Sequence, residues 1–338
     1  MDFIKPGKFN IVIDGQFGST GKGLICSYIG ANNHIDLAVT NSSSNAGHTF
    51  FDFEGNKRVV KYIPVSSIFN KRSGIYFCPG SIINPSILLN EIYQNDIDPT
   101  RVCIHPRCAI IENEDIEKEK NINSSQAKLA STQSGVGEAL SRKVLRSSKL
   151  AKGCKELEEF IGEINLQYYM NEGCSIIMEV PQGFDLSLNS GLAYPYCTSR
   201  EITVSSAMSD AQVHPSYLGN VMMSMRTFPI RVGNLIIDNK EIGYSGPFYE
   251  DSKELSWDEL GVEKEYTTNT KRIRRIATFS LEQYKKSIEM LKPTHVFLNF
   301  VNYIKSKNKL NALLKKINKI QNVNYIGTGP TIFNVHEI

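Results

Sequence analysis

The chain has 338 residues, with 38 Lys and Arg against 35 Asp and Glu, a formal charge of +3 and 41% hydrophobic content. That charge balance is too even for a general nucleic-acid surface, and no apolar run approaches a membrane span, so neither nucleic acid nor membrane is expected as a partner. Seven cysteines without a Cys-x-x-Cys pair, and a first ten residues without a signal-peptide core, lead us to expect reduced thiols and a cytoplasmic protein.

The apolar run Phe9 to Ile13 predicts a buried strand, and Leu24 to Ile29 predicts the opening of a helix. Between them lies Gly15-Gln16-Phe17-Gly18-Ser19-Thr20-Gly21-Lys22-Gly23. Strand, glycine-rich turn and helix start together make a phosphate site, because glycine lets backbone approach closely and free N–H groups attract anions. Lys22 adds a point charge. The turn is not a Walker A loop: Gln16 stands where the first glycine belongs, and Gly23 stands where the magnesium-binding hydroxyl belongs. A purely structural glycine turn is the competing reading.

Next come a predicted strand at Leu37–Val39, small polar residues over Thr40–Ser44, and Asn45-Ala46-Gly47-His48-Thr49. A loop histidine titrates near neutrality and can reach a ligand, although a lone one is more often a surface residue. Further strands are predicted at Gly74–Cys78, Val102–Ile104, Ser175–Val180, Gly233–Ile237, His295–Leu298 and Asn324–Ile326. Predicted helices include Pro85–Gln94, Lys152–Met170 and Ser280–Leu291, the last opening on a Ser-x-x-Gln capping box. Residues 112–150 are polar and Ser-rich and read as a mobile loop. The lysines over Lys305–Lys319 read as a solvated helix face. Cys103 and Cys108 have no second ligand cluster, which argues against zinc. The expected fold is α/β, with a mainly parallel central sheet flanked by helices, and a single domain over residues 1–338.

Both glycine-containing motifs resemble those of the adenylosuccinate synthetases. The first is similar to the family's Gly-Asp-Glu-Gly-Lys-Gly and the second to its Asn-Ala-Gly-His-Thr. The resemblance continues through Lys61-Tyr62-Ile63-Pro64, Ser131-Thr132-Gln133-Ser134-Gly135-Val136-Gly137, Gln182-Gly183 and Tyr194-Pro195-Tyr196-Cys197-Thr198. It extends to Arg231-Val232-Gly233, Gly246-Pro247-Phe248 and Gly327-Thr328-Gly329-Pro330. It implies a P-loop-related fold and a C–N bond-forming ligase that uses Mg2+.

Residue by residue, the resemblance implies catalytic roles for Ser19, Lys22 and His48. It assigns the nucleoside monophosphate to Ser19, Asn45, Thr132, Arg146, Gln182, Thr198, Val232 and Arg272. Arg146 matches an arginine contributed by the second subunit, which implies a homodimer. Thr268, Asn269, Thr270, Arg272 and Arg274 resemble the loop that binds L-aspartate, with Lys271 in place of a glycine. The triphosphate falls to Gly18, Thr20, Gly21, Lys22, Gly23, Gly47, His48, Thr49, Arg274, Asn299, Gly327, Thr328 and Gly329. The metal falls to Ser19 and Gly47.

Two departures from the family matter. Ser19 replaces its catalytic aspartate, and Thr20 the following glutamate. Val301 stands where the family's aspartate reads the guanine of GTP; valine accepts no hydrogen bond, so ATP or dATP is expected as donor. A serine at position 19 leaves room for a purine 2-amino group, a pattern similar to a phage branch of the family. The expectation is therefore condensation of dGMP with L-aspartate to give N6-succino-2-amino-2′-deoxyadenylate, in the host cytoplasm if the gene is a phage's. The alternatives are a divergent enzyme using IMP and GTP, an NTP-hydrolysing switch, and a binding protein that has lost catalysis.

Overall fold

The computed structural model describes residues 3–268 and 270–338. Nine strands form the central sheet: β1 Phe9–Asp14, β2 Leu37–Thr40, β3 Gly74–Phe77, β4 Val102–Ile104, β5 Ile176–Glu179, β6 Leu218–Arg226, β7 His295–Asn299, β8 Tyr325–Gly327 and β9 Val335–Glu337. Their spatial order is β9-β8-β7-β6-β1-β5-β2-β3-β4. Every neighbouring pair is parallel except β8 with β9. This is the α/β architecture expected from the short apolar runs.

Alternation along each strand divides the core between the two sheet faces. Val12, Ala38, Ile177 and Met222 join one buried cluster, whereas Ile11, Ile13, Val39, Met178 and Met223 join the other. Because both faces are covered, β1 is buried along its whole length, which is why the strand reads as a continuous apolar run.

The central strand β6 gave no signal in the sequence. Its buried stretch is Met-rich rather than β-branched, and methionine is a good helix former. The expected strand Gly233–Ile237 is corrected: only Leu235–Ile237 is extended, and it pairs with Lys240–Gly243 in a separate exposed hairpin. The turn residues Asp238 and Asn239 have φ of 49° and 61°, the conformation a tight hairpin requires. The expected helix Lys152–Met170 is also corrected. Two 3-10 turns, Ala151–Gly153 and Lys155–Phe160, precede a short helix, Leu166–Asn171, capped by the Asn165 side chain.

Residues 112–150, read as a loop, hold helices Asn113–Lys120, Ser125–Lys128 and Val136–Val144. Their polar side chains bond backbone and side-chain groups within the same segment. The Glu119 carboxylate accepts from the N–H groups of Gly135 and Gly137 at 2.7 and 2.8 Å, and Arg142 pairs with Asp115 and Glu112. Helix Leu281–Leu291 is capped by Ser280, which accepts from Gln283 N at 2.8 Å. The Gln283 side chain does not complete the capping box; it donates to Asp185 instead. Lys307–Ile317 is the expected solvated helix, with its lysines exposed and Leu310, Leu313 and Leu314 turned inward.

All seven cysteines are free thiols. Among the described residues no helix is long and apolar enough to cross a membrane, and no group of three or more His, Cys, Asp or Glu could hold a metal. The loops after the carboxyl ends of β1, β2, β5, β6, β7 and β8 gather at one edge of the sheet, where open α/β sheets bind ligands.

Candidate active site

The turn after β1 is folded around Asp14. The buried Asp14 carboxylate accepts from Gln16 N at 2.9 Å, Thr20 N at 3.2 Å and the Thr20 hydroxyl at 2.7 Å. Burial pushes its pKa up, against the opposing pull of Lys22 and these donors. Thr20, expected at the triphosphate, bonds Asp14 through both its hydroxyl and its N–H and so staples the turn inward. With its ends fixed, the turn adopts left-handed backbone at Gly18 (φ 81°), Ser19 (φ 57°) and Gly21 (φ 76°). Such turns direct N–H groups into an anion-binding concavity.

Gly21 is also the N-cap of the helix Lys22–Asn32, where no side chain caps the first turn. Leu24 N donates to Gly21 O at 2.9 Å, and the N–H groups ahead of it lie at the helix start, which attracts anions. Lys22 is buried, and its ammonium donates to the Val180 carbonyl. Burial pulls its pKa down, while Asp14 and Glu179 oppose that shift. Gly23 has no room for a side chain: a Cβ there would fall 2.2 Å from the Thr49 carbonyl oxygen. This close approach seats the strand His48–Phe51 beside the helix start. Burial, reinforced by Lys22, holds the His48 imidazole well below its ordinary pKa, so in the free protein His48 is neutral at pH 7.

Other predicted residues converge on the same edge. A Cβ at Gly183 would lie 2.2 Å from Gly18 N, so the Gln182-Gly183 turn presses against the first motif. Gln182 Oε1 is buried and accepts no hydrogen bond among the described residues. Thr198 N donates to Leu186 O at 2.7 Å, just beyond that turn. Asn45 accepts from the Ser43 hydroxyl at 2.7 Å, and the Ser44 hydroxyl donates to Ser134 O at 3.2 Å, joining the second motif to the Thr132 loop.

The predicted aspartate loop closes over these elements. Thr268 packs on Gly47, where an added Cβ would stand 3.0 Å from its methyl carbon. Thr270 accepts from Arg272 Nε at 3.0 Å. Arg272 Nη2 donates to Ala130 O and Ser131 O at 2.6 and 3.0 Å, while the buried Nη1 has no acceptor among the described residues. Burial pulls Arg274 down to about 10 despite Glu265. The turn around Val232 lies against this loop, since a Cβ at Gly233 would meet Ile273 O at 2.1 Å. Asn269 lies outside the described residues.

The donor end contains one surprise. Asn299 was expected to touch the triphosphate, but its amide holds protein. It donates to Thr20 O at 3.2 Å and accepts from Phe300 N at 2.8 Å. A Cβ at Gly21 or at Gly327 would collide with it at 2.1 Å, so Asn299 joins the first motif to the Gly327-Thr328-Gly329 turn. Val301 is 3% exposed and belongs to the core. Arg146 follows the helix Val136–Val144, with its N–H bonded to Lys143 O at 3.1 Å. It is exposed and left-handed (φ 63°), beside Val144 and Leu145 at 71% and 73% exposure.

Three residues that shape the site escaped the sequence reading. Arg200 donates to Asn41 O and to the Ser43 hydroxyl and so fixes the second motif. Asp185 accepts from Tyr249 and Gln283 beneath the first motif, and burial pushes it up to about 6 against these donors. Arg226 bonds the Ser19 carbonyl at 3.0 Å. An arginine near a motif carries some signal, but only long-range packing reveals which loop it holds.

A model of the adenylosuccinate synthetase family matches residues 11–165 and 147–316. The chain belongs to the adenylosuccinate synthetase family. It is 35% identical over 360 residues to the N6-succino-2-amino-2′-deoxyadenylate synthase of Salmonella phage PMBT28, covering 97% of each chain. The adenylosuccinate synthetase of Pyrococcus sp. (strain ST700) is 32% identical over 282 residues, with 82% of this chain and 79% of the relative aligned. Among solved structures, the succinoaminodeoxyadenylate synthetase of cyanophage S-2L, bound to dGMP and to dATP as an energy donor, superposes with a TM-score of 0.87. It is 33% identical and covers 98% of this chain and 95% of its own. Within the adenylosuccinate synthetase family, then, the phage enzyme aligns over more of this chain than the archaeal one does.

Proposed function

We propose that this chain is a ligase that condenses dGMP with L-aspartate, driven by ATP or dATP, to give N6-succino-2-amino-2′-deoxyadenylate. The observation that carries this reading is Ser19, a short neutral side chain at the exposed tip of the first motif. Its hydroxyl has no partner among the described residues, so it is free to meet a ligand. The full-length similarity to phage enzymes of that name supports the same reading.

In this mechanism O6 of dGMP attacks the γ-phosphate of the donor, and the aspartate amine then displaces phosphate from C6. Lys22 and the N–H groups of the turn stabilise charge on the transferring group. His48, neutral before substrate arrives, donates its N–H to the reacting oxygens. Gln182 Oε1, a buried acceptor without a donor, suits an N–H of the purine. Arg272 Nη1, a buried donor without an acceptor, suits a carboxylate of aspartate. Thr132 and Asn45 face the nucleotide phosphate, and Gly327-Thr328-Gly329 borders the donor base.

The exposed Ser19 hydroxyl and the Gly47 carbonyl, both neutral oxygen donors at the first and second motifs, would hold Mg2+ here. When bound, the ion supplies neutralisation of phosphoryl charge.

ATP or dATP is expected to support turnover far better than GTP. Val301 is packed into the core, and the Asn299 amide is already committed, so this turn offers guanine no carboxylate. A missing partner at a buried polar edge costs about 1–3 kcal/mol, roughly ten- to a hundredfold in kcat/KM. Product formation with dGMP and aspartate, measured across ATP, dATP and GTP, tests this, and equal use of GTP would contradict it. Phosphate release that does not require aspartate would favour a nucleotide-hydrolysing switch.

Arg146 reaches the nucleotide phosphate of a neighbouring protomer in this reading. The exposed Val144 and Leu145 beside it suit a subunit contact. Mixing Arg146→Ala with Lys22→Ala should restore activity through hybrid dimers that carry one intact composite site. A fully active monomer at assay concentration would rule out the shared site.

A further inference from the structure

We propose that Arg226 is a positioning residue that couples the acceptor, aspartate and donor subsites through its buried ion pair with Glu265. The inference rests on the substrate assignments made above.

Arg226 ends β6, the strand beside β1, and is 0% exposed. Its backbone is gripped by the first motif: Arg226 N donates to Gln16 Oε1 at 2.9 Å, and Gln16 Nε2 donates back to Arg226 O at 3.2 Å. Its guanidinium then reaches three segments: the first motif at Ser19, Glu265 beside the predicted aspartate loop, and Phe300 beside Asn299 at the predicted donor end. Nη1 donates to the Ser19 carbonyl at 3.0 Å, at the residue proposed to choose the acceptor base. Nη1 and Nη2 form a fork on Glu265 at 3.2 and 2.6 Å. The plane lies over the Phe300 ring, 4.0 Å from its centroid.

Each contact has a consequence. Ser19 holds a left-handed φ of 57°, which costs energy in a residue other than glycine. A charge-assisted bond to its carbonyl orients the peptide that carries the hydroxyl. Glu265 is where the aspartate loop is anchored: its carbonyl accepts from Arg274 N at 2.9 Å, and Tyr303 OH donates to its carboxylate at 3.1 Å. Phe300 also packs beside Gly21, where an added Cβ would stand 3.1 Å from its ring. One planar group with fixed donor directions thus sets the spacing of Ser19, the aspartate loop and the donor turn. Ordinary stability does not require this arrangement, since a buried ion pair is commonly replaceable by apolar residues without loss.

The test compares Arg226→Met/Glu265→Met, which removes both charges together, with Glu265→Gln. The double variant should stay folded, with a Tm near that of wild type. Its kcat/KM should fall by roughly 10²-fold, as expected for misplacement on the order of 1 Å. Its KM for aspartate should rise, and its preference for dGMP over IMP should shrink. Glu265→Gln should raise the KM for aspartate with a smaller effect on acceptor choice. A folded double variant with wild-type constants and acceptor preference would overturn the proposal. So would unfolding of both variants, which would make the pair purely structural. A wild type that joins only IMP would remove the dGMP reading, and the KM for aspartate in the variants would still decide the role of Arg226.

Discussion

His48→Ala is expected to lower kcat by about 10²–10⁴-fold while leaving dGMP binding close to wild type. His48 begins a strand held against the phosphate-binding helix by the Gly23–Thr49 contact, so the fold places it beside the first motif before any substrate arrives. Burial, and then Lys22, disfavour the imidazolium. The free protein therefore presents a neutral ring whose N–H can donate, and protonation comes only as pH falls well below 6.5. Arrival of a triphosphate adds negative charge beside the ring, which offsets Lys22 and strengthens that donation as charge moves during transfer. Steady-state kinetics together with calorimetric dGMP binding separate the two roles. A variant that keeps most of its kcat would make His48 a loop residue.

Ser19→Asp should move acceptor preference from guanine toward hypoxanthine nucleotides. The substitution is conformationally mild, because aspartate tolerates the left-handed backbone better than most residues and position 19 is exposed. A carboxylate there meets the 2-amino group of dGMP at short range, yet it can take a proton from N1 of a hypoxanthine base. Crowding and lost hydrogen bonding should together change the ratio of kcat/KM values by about 1–3 kcal/mol, roughly ten- to a hundredfold. Thr20, tied to Asp14, and the donor turn stay unchanged, so a fully efficient IMP enzyme is not expected. A ratio unmoved by the substitution would show that Ser19 does not select the base.

Features set by local physics were legible in the sequence. The first motif was one, because strand, glycines, lysine and helix start adjoin one another in the chain. Most parallel strands were legible because burial on both faces makes short apolar runs. β6 was not, because its methionines carry no strand preference. Residues 112–150 read as loop because composition does not show that their polar side chains bond neighbouring helices, as the Glu119 carboxylate does at the Gly135 N–H. The roles of Thr20, Asn299 and Arg226 were hidden for a related reason. Sequence places a residue in a motif, but only packing shows whether its side chain faces ligand or holds the motif in shape.

Choice of acceptor base is decided by a competition assay. Wild-type protein is given an equimolar mixture of dGMP, dIMP and IMP with aspartate, ATP and Mg2+, and early products are separated and weighed by mass spectrometry. With Ser19 at the base edge, N6-succino-2-amino-2′-deoxyadenylate should predominate. A product dominated by succinyl adducts of the hypoxanthine nucleotides would contradict the dGMP assignment and return the chain to ordinary adenylosuccinate synthesis.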